Sequence, residues 1–150
     1  MPQSLARVLV HLVFSTKHRV PILTPEIRVE LHPLLSAILT NDGCRPLQVG
    51  GVEDHVHLLF GLSRTRTISQ IVENDKTSSS KWLKTKGEAL AEFHWQNGYG
   101  VFSVSQSHAE EVVEYIRCQD VHHKSQSFQN EFREILVRER VEFDERYVWD

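Results

Sequence analysis

His55 and His57 stand two residues apart in the run His55-Val56-His57-Leu58-Leu59-Phe60-Gly61-Leu62. If that run is a strand, both imidazoles project from one face while Val56 points into the opposite layer. Two neighbouring imidazoles on a rigid element are a ready pair of ligands for a divalent metal. The same tripeptide also suits two polar residues on an exposed sheet face, and His-x-His arises often by chance. A second group lies further along: Tyr115 and Gln119, four apart, fall on one face of a helix. A phenol of ordinary pKa, about 10, becomes a useful nucleophile only when a metal, a base or an activated substrate offsets its charge. The carbonyl of a Gln can give an oxygen ligand to a hard cation. Packing in an apolar stripe is the competing role for Tyr115. His122 and His123 continue the face that begins at Gln119, as spare ligands, phosphate contacts or helix-end cations.

The elements that must position these groups can be read along the chain. Val8 to Ser15 is β-branched and aromatic, broken only by His11, as a central strand would be. Thr24-Pro25 supplies an N-cap and a first helical residue, followed by Ile27, Leu31, Leu34, Leu35 and Ile38 at helical spacing. That helix ends near Asn41-Asp42-Gly43, and Pro33 inside it predicts a bend or a break. Arg45 to Gly50 and His55 to Leu62 form a predicted hairpin. Thr67 and Gln70 make a capping box for a helix over residues 68–86, with a polar middle at Asn74 to Ser80. A fourth strand lies within Trp95 to Ser105, and Ser107 with Glu110 suggests a second capping box for the helix that carries Tyr115. A last helix over Phe128 to Arg138 and an aromatic tail, Phe143 to Trp149, close the chain. The order β-α-β-β-α-β predicts an α+β, ferredoxin-like (split β-α-β) antiparallel sheet with helices on one face and a C-terminal helical extension.

At 150 residues the chain fits a single domain, 1–150. With 40% hydrophobic and 25% charged residues its composition is that of an ordinary globular protein. No apolar run approaches the roughly 18 residues of a membrane span, and Met1 to Arg7 lacks the features of a signal peptide, so a cytoplasmic protein with no membrane partner is expected. Cys44 and Cys118 form no Cys-x-x-Cys and are expected to be buried thiols. The net charge of −3 argues against a grip on nucleic acid by bulk positive charge. Its distribution is uneven: residues 1–86 hold 11 Lys/Arg against 7 Asp/Glu, a net of +4, and residues 87–150 hold 6 against 13, a net of −7. The first part of the chain could face an anion.

Three strings occur in order: Gly50-Gly51-Val52-Glu53-Asp54-His55-Val56-His57-Leu58-Leu59-Phe60, then Trp95 to Ser105, then Tyr115-Ile116-Arg117-Cys118-Gln119-Asp120-Val121-His122-His123. Together they resemble the single-tyrosine transposases of the HUH endonuclease superfamily, the insertion-sequence transposases and the REP-associated tyrosine transposases. The resemblance runs from about Val8 to Asp150, with residues 125–150, including Phe128 to Phe132 and Phe143 to Asp150, looking like a C-terminal extension found in one branch. It implies that His55, His57 and Gln119 hold Mg²⁺ or Mn²⁺ and that Tyr115 is the catalytic nucleophile. It further implies a homodimer joined through the fourth strand, where the glycines would let two backbones approach. A partner's histidine pair could then receive the tyrosine. The implied reaction cleaves and rejoins single-stranded DNA, at sites with hairpins, through a 5′-phosphotyrosine and without a nucleotide cofactor. DNA contacts would fall to Lys17, Arg19, Arg64, Arg66, Lys76 and Lys81, aided by Lys84 and Lys86, with Trp82 or Trp95 stacking on bases. Trp82 shares the stripe of Ile68, Ile71 and Leu83, which favours a place in the core. Two other classes fit parts of the pattern: a domesticated or noncatalytic ferredoxin-like nucleic-acid-binding protein, and a metal-dependent hydrolase. The hydrolase lacks the expected Asp or third His soon after His57.

Overall fold

The computed structural model describes residues 2–150. Four strands make one antiparallel sheet in the order β2-β3-β1-β4, with β1 at Leu9–Ser15, β2 at Arg45–Gly51, β3 at His55–Gly61 and β4 at Gly100–Val104. β1 has a hydrogen-bonded neighbour on each side, and all seven of its residues are buried, His11 and Ser15 included, as a central strand requires. Its register sets Ser15 opposite His55 and Val13 opposite His57.

Alternation along the strands divides the apolar side chains between two layers. Leu12 and Phe14 of β1, with Val56, Leu58 and Phe60 of β3, pack against α1 (Pro25–Asn41) and α2 (Ile68–Leu83). Each such buried Leu, Ile or Phe contributes roughly 1.5–3 kcal/mol. Val13 and Phe102 form a second cluster with Phe128, Phe132, Ile135 and Leu136 of α5 (Phe128–Arg138). Helices were expected on one face. α1 and α2 keep to it, while α3 (Ala109–Arg117), the single turn α4 (Gln119–His122) and α5 cover the opposite face, the one that carries the histidines.

Local details depart from the sequence pattern for physical reasons. α1 runs unbroken through Pro33, because Pro33 is exposed and the carbonyl that loses its partner belongs to Val29, itself 75% exposed and open to water. The Thr67–Gln70 capping box forms, with Gln70 N 3.2 Å from Thr67 Oγ1, but α2 stops at Leu83. Its polar middle is absorbed by tertiary contacts, Asn74 Nδ2 donating to both carboxylate oxygens of Asp42 at 2.9 Å. The second capping box does not form. Residues 106–108 make a 3₁₀ turn instead, and the Ser105 and Ser107 hydroxyls turn to His108 Nδ1. The fourth strand is shorter than its apolar run, Trp95 pairing with Thr16 only through an isolated bridge. Cys44 is buried as expected, whereas Cys118 is half-buried. Trp82 is also half-buried, packed at the edge of the first core with Lys86 over its ring.

Candidate active site and metal centre

β3 delivers His55 and His57 to the sheet face beneath α3 to α5, and both are fully buried. Gly50, opposite His57 in β2, lets α3 approach: a Cβ there would lie 2.8 Å from the carbonyl oxygen of Ile116. Ile116 is buried and anchors the helix, which leaves the preceding residue, Tyr115, over the histidines with its ring 5.7 Å from that of His57. Gln119 is buried at the start of α4, its Oε1 3.0 Å from His55 Nε2. The four residues singled out for chemistry therefore meet in one cluster within a single chain, and Tyr115 lies beside its own His57.

Three further residues complete that cluster. Glu131, from the first turn of α5, is 2% exposed. Its Oε1 lies 3.2 Å from His57 Nε2, 3.3 Å from His55 Nε2 and 3.1 Å from His123 Nε2. Its Oε2 accepts from the Tyr115 hydroxyl and from Gln119 Nε2 at 3.1 Å. His11, on β1, places Nε2 2.8 Å from His57 Nδ1, the two rings stacked with centroids 5.0 Å apart. Asp54 Oδ1 is 2.7 Å from His55 Nδ1. Each ring that could ligate an ion through Nε2 is thus held at its other nitrogen, which fixes its orientation. His122 packs its ring against that of Tyr115, and His123 lies beside the His55 ring.

The charges in this cluster are coupled. Burial opposes ionisation of Glu131, but hydrogen bonds and charge from His123, His55 and His57 outweigh it and hold the carboxyl well below the usual range. Burial likewise opposes a charge on His55, yet Asp54 and Glu131 raise its pKa to about 9. His57 and His11 go the other way, lowered first by burial, His11 to about 3. Burial and the Glu131 carboxylate push the Tyr115 phenol well above its ordinary value. Donor atoms of His55, His57 and Glu131 all lie within 4.8 Å of one another, so this two-imidazole, one-carboxylate set could hold a metal ion. The donor types fit a divalent cation.

The basic residues do not form one patch. Lys17 and Arg19 follow β1 at the His55 end of the sheet, whereas Arg64 and Arg66 follow β3 at its other end, Arg66 standing 3.8 Å from Asp42. Lys76 donates to the carbonyls of Gln96, Asn97 and Gly98 at 2.8, 3.1 and 2.6 Å, and burial lowers its pKa to about 8. It straps the loop before β4. Lys81 and Lys84 share with that loop a cavity of about 480 Å³ that Trp95 also lines. Trp95 itself is buried, its indole N–H given to Ser79. Arg19 lies over the Trp149 ring. Gly98, before β4, and Gly100, its first residue, serve the chain's own C-terminal part: Gly98 N donates to the Asp150 carbonyl at 2.8 Å, and a Cβ at Gly100 would strike the Phe132 ring.

Glu131 was not visible as a site residue from motif spacing. Its signal is a carboxylate set three residues after Phe128 and one before Phe132, inside the buried stripe that continues to Ile135 and Leu136. A charge on the apolar stripe of a helix needs a partner.

The chain and its fold are similar to known proteins. Residues 4–119 match the family model described as Transposase IS200 like. The ISDra2 transposase TnpA of Deinococcus radiodurans is 25% identical over 114 residues, covering 73% of this chain and 81% of that protein. A candidate transposase from Deinococcus radiodurans R1, solved by crystallography, superposes with a TM-score of 0.62 at 25% identity, over 79% of this chain and 98% of that one. A REP-associated tyrosine transposase bound to a REP hairpin shares the fold, with a TM-score of 0.60 at 13% identity over 82% of this chain and 73% of that one. The family match spans the sheet, both histidines and Tyr115 and ends at Gln119, and on that ground the chain belongs to the IS200-like transposases.

Proposed function

We propose that this transposase cleaves and rejoins single-stranded DNA through a 5′-phosphotyrosine on Tyr115, at sites that contain hairpins. The observation that carries the reading is the meeting of the Tyr115 hydroxyl with the His55–His57 pair around one buried carboxylate. His55 and His57, with Gln119 beside them, would hold Mg²⁺ or Mn²⁺. When bound, such an ion supplies Lewis acidity to a phosphate oxygen and offsets developing charge. Tyr115 Oη attacks phosphorus, the bond from phosphorus to the 3′ oxygen breaks, and the departing 3′ oxygen takes a proton. Because the phosphotyrosine preserves the energy of the diester, a 3′-hydroxyl can reverse the attack with no nucleotide cofactor. His11 serves His57. A neutral His57 that donates from Nε2 to Glu131 must accept at Nδ1, and when Nε2 is a ligand Nδ1 carries the proton and donates to His11.

The other parts of the reading follow from placement. Lys17, Arg19 and Lys81 flank the loop before β4 on the site's end of the sheet and would meet DNA phosphates, whereas Arg64 and Arg66 would need a strand long enough to reach the far end. Lys76 would act through the loop that it straps. Residues 1–150 would form one catalytic domain with 125–150 as its extension, and β4, with a strand neighbour on one side only, would join two copies in a homodimer. No helix among the described residues is long and apolar enough to cross a membrane. A cytoplasmic place of work suits a DNA substrate.

The test is a denaturing gel with a 5′-extended hairpin oligonucleotide labelled on its 3′ side. Wild type with Mn²⁺ should give a covalent protein–DNA adduct, and Tyr115→Phe, which loses only the hydroxyl, should bind the hairpin yet form at least about 10³-fold less. His57→Ala and EDTA should also abolish the adduct. Adduct from Tyr115→Phe at the wild-type level would remove the nucleophile assignment.

A further inference from the structure

We propose that Glu131 is itself a ligand of the metal centre, a carboxylate supplied by the C-terminal helix, and that its second oxygen positions the nucleophile. The inference rests on the reading of His55 and His57 as metal ligands. Three imidazole Nε2 atoms, from His55, His57 and His123, converge on Glu131 Oε1 at 3.1 to 3.3 Å, although their residues come from β3 and from the segment after α4. A carboxylate at 2% exposure is costly unless it is paired, and here three ring nitrogens from separate parts of the chain crowd one of its oxygens. A dication among the same atoms would satisfy the carboxylate and the nitrogens together, in the two-His, one-carboxylate pattern of divalent transition ions.

Gln119 is the weaker candidate. Both ends of its amide are already engaged, Oε1 with His55 Nε2 at 3.0 Å and Nε2 with Glu131 Oε2 at 3.1 Å, so it bridges a histidine to the carboxylate. An amide oxygen also lacks the formal charge that a carboxylate brings to a hard cation. The remaining lone pairs of Glu131 Oε2 accept the Tyr115 hydroxyl, so one side chain ties the nucleophile to the centre. Glu131 lies beyond residues 4–119, outside the part of the chain that the family model describes, which makes this ligand a property of the C-terminal extension.

Isothermal titration with MnCl₂, without DNA, compares wild type, Glu131→Gln, Gln119→Ala and His57→Ala. A ligating Glu131 predicts at least a tenfold loss of Mn²⁺ affinity in Glu131→Gln, a smaller loss in Gln119→Ala, and partial recovery in Glu131→Asp. Unchanged affinity in a folded Glu131→Gln overturns the proposal, and tighter binding would show that the carboxylate excludes the ion instead. Should the variants fail to fold, a crystal of wild type grown with Mn²⁺ decides: anomalous density about 2.0–2.2 Å from a Glu131 oxygen supports the assignment. An ion on the histidines with Glu131 turned away refutes it. Failure of wild type to bind Mn²⁺ at all would instead sink the underlying reading of the histidine pair.

Discussion

His11 is the polar interruption within the apolar run of β1, and its burial is explained by the nitrogen that it presents to His57. Groups that orient a ligating histidine usually set affinity by about 10–100-fold. His11→Ala should therefore weaken Mn²⁺ binding by that factor in a calorimetric titration while hairpin binding persists; an unchanged titration would make His11 a packing residue. Asp75 poses a different problem. It is fully buried on α2, neither carboxylate oxygen has a hydrogen-bond partner, and burial, with Asp42 adding to it, raises its pKa to about 8. The folded state then binds a proton that the unfolded state releases near pH 4, so Asp75 costs stability progressively as pH rises from about 4 to about 8. Asp75→Asn removes the charge. Thermal melts should show it more stable than wild type by on the order of 2 kcal/mol at pH 8, with the difference shrinking toward pH 5; parallel curves would mean that Asp75 finds a partner in solution.

The elements act as positioning devices, and their seating depends on small residues. α3 rests on β2 at Gly50, where a methyl group would meet Ile116 Cγ2 and the Ile116 carbonyl, both at 2.8 Å. A carbonyl fixed in a helix cannot swing aside as a side-chain tip can. Gly50→Ala should therefore lift α3, costing about 1–3 kcal/mol in denaturant unfolding and lowering the rate of adduct formation more than hairpin affinity, because Tyr115 adjoins the displaced residue. Equal losses in both would point to global unfolding. α5 owes its seat to Phe128, Phe132, Ile135 and Leu136 packing on Val13 and Phe102, and the same packing drives Glu131 into the cluster. The tail adds Glu145, which ion-pairs with Arg133 of α5, and Trp149, whose ring lies beneath the Arg133 guanidinium.

For the whole molecule, the question is which chain supplies the tyrosine. Exchange of a tyrosine helix between partners was one expectation, yet Tyr115, Glu131 and His57 meet within one chain. A homodimer through β4 would then hold two complete sites side by side. Mixing inactive Tyr115→Phe with inactive His57→Ala protein, under conditions of subunit exchange, should leave cleavage at background. Recovery toward a quarter or more of wild-type activity would show sites shared between chains.

Spacing alone is enough to propose the order of strands and helices along the chain and the pairing of His55 with His57 on one face, since periods of two and 3.6 residues are local properties of the backbone. It also puts Tyr115 and Gln119 on one helix, whereas α3 ends at Arg117, Cys118 leaves the helical conformation and Gln119 opens α4, so only the packed chain brings the two side chains together. The Thr67 capping box and the Phe128–Arg138 helix were legible for the same reason. The Ser107 box was not, because a 3₁₀ turn and His108 claimed its hydroxyls, and the continuity of α1 through Pro33 depended on which side faced water. Glu131 stayed hidden, being 74 residues from His57 in sequence and 3.2 Å from it in space. Its placement required the second apolar layer, in which α5 folds back over the sheet. Long-range burial made that decision: a carboxylate in that layer is stable only where imidazoles converge, and they converge only after the chain has packed.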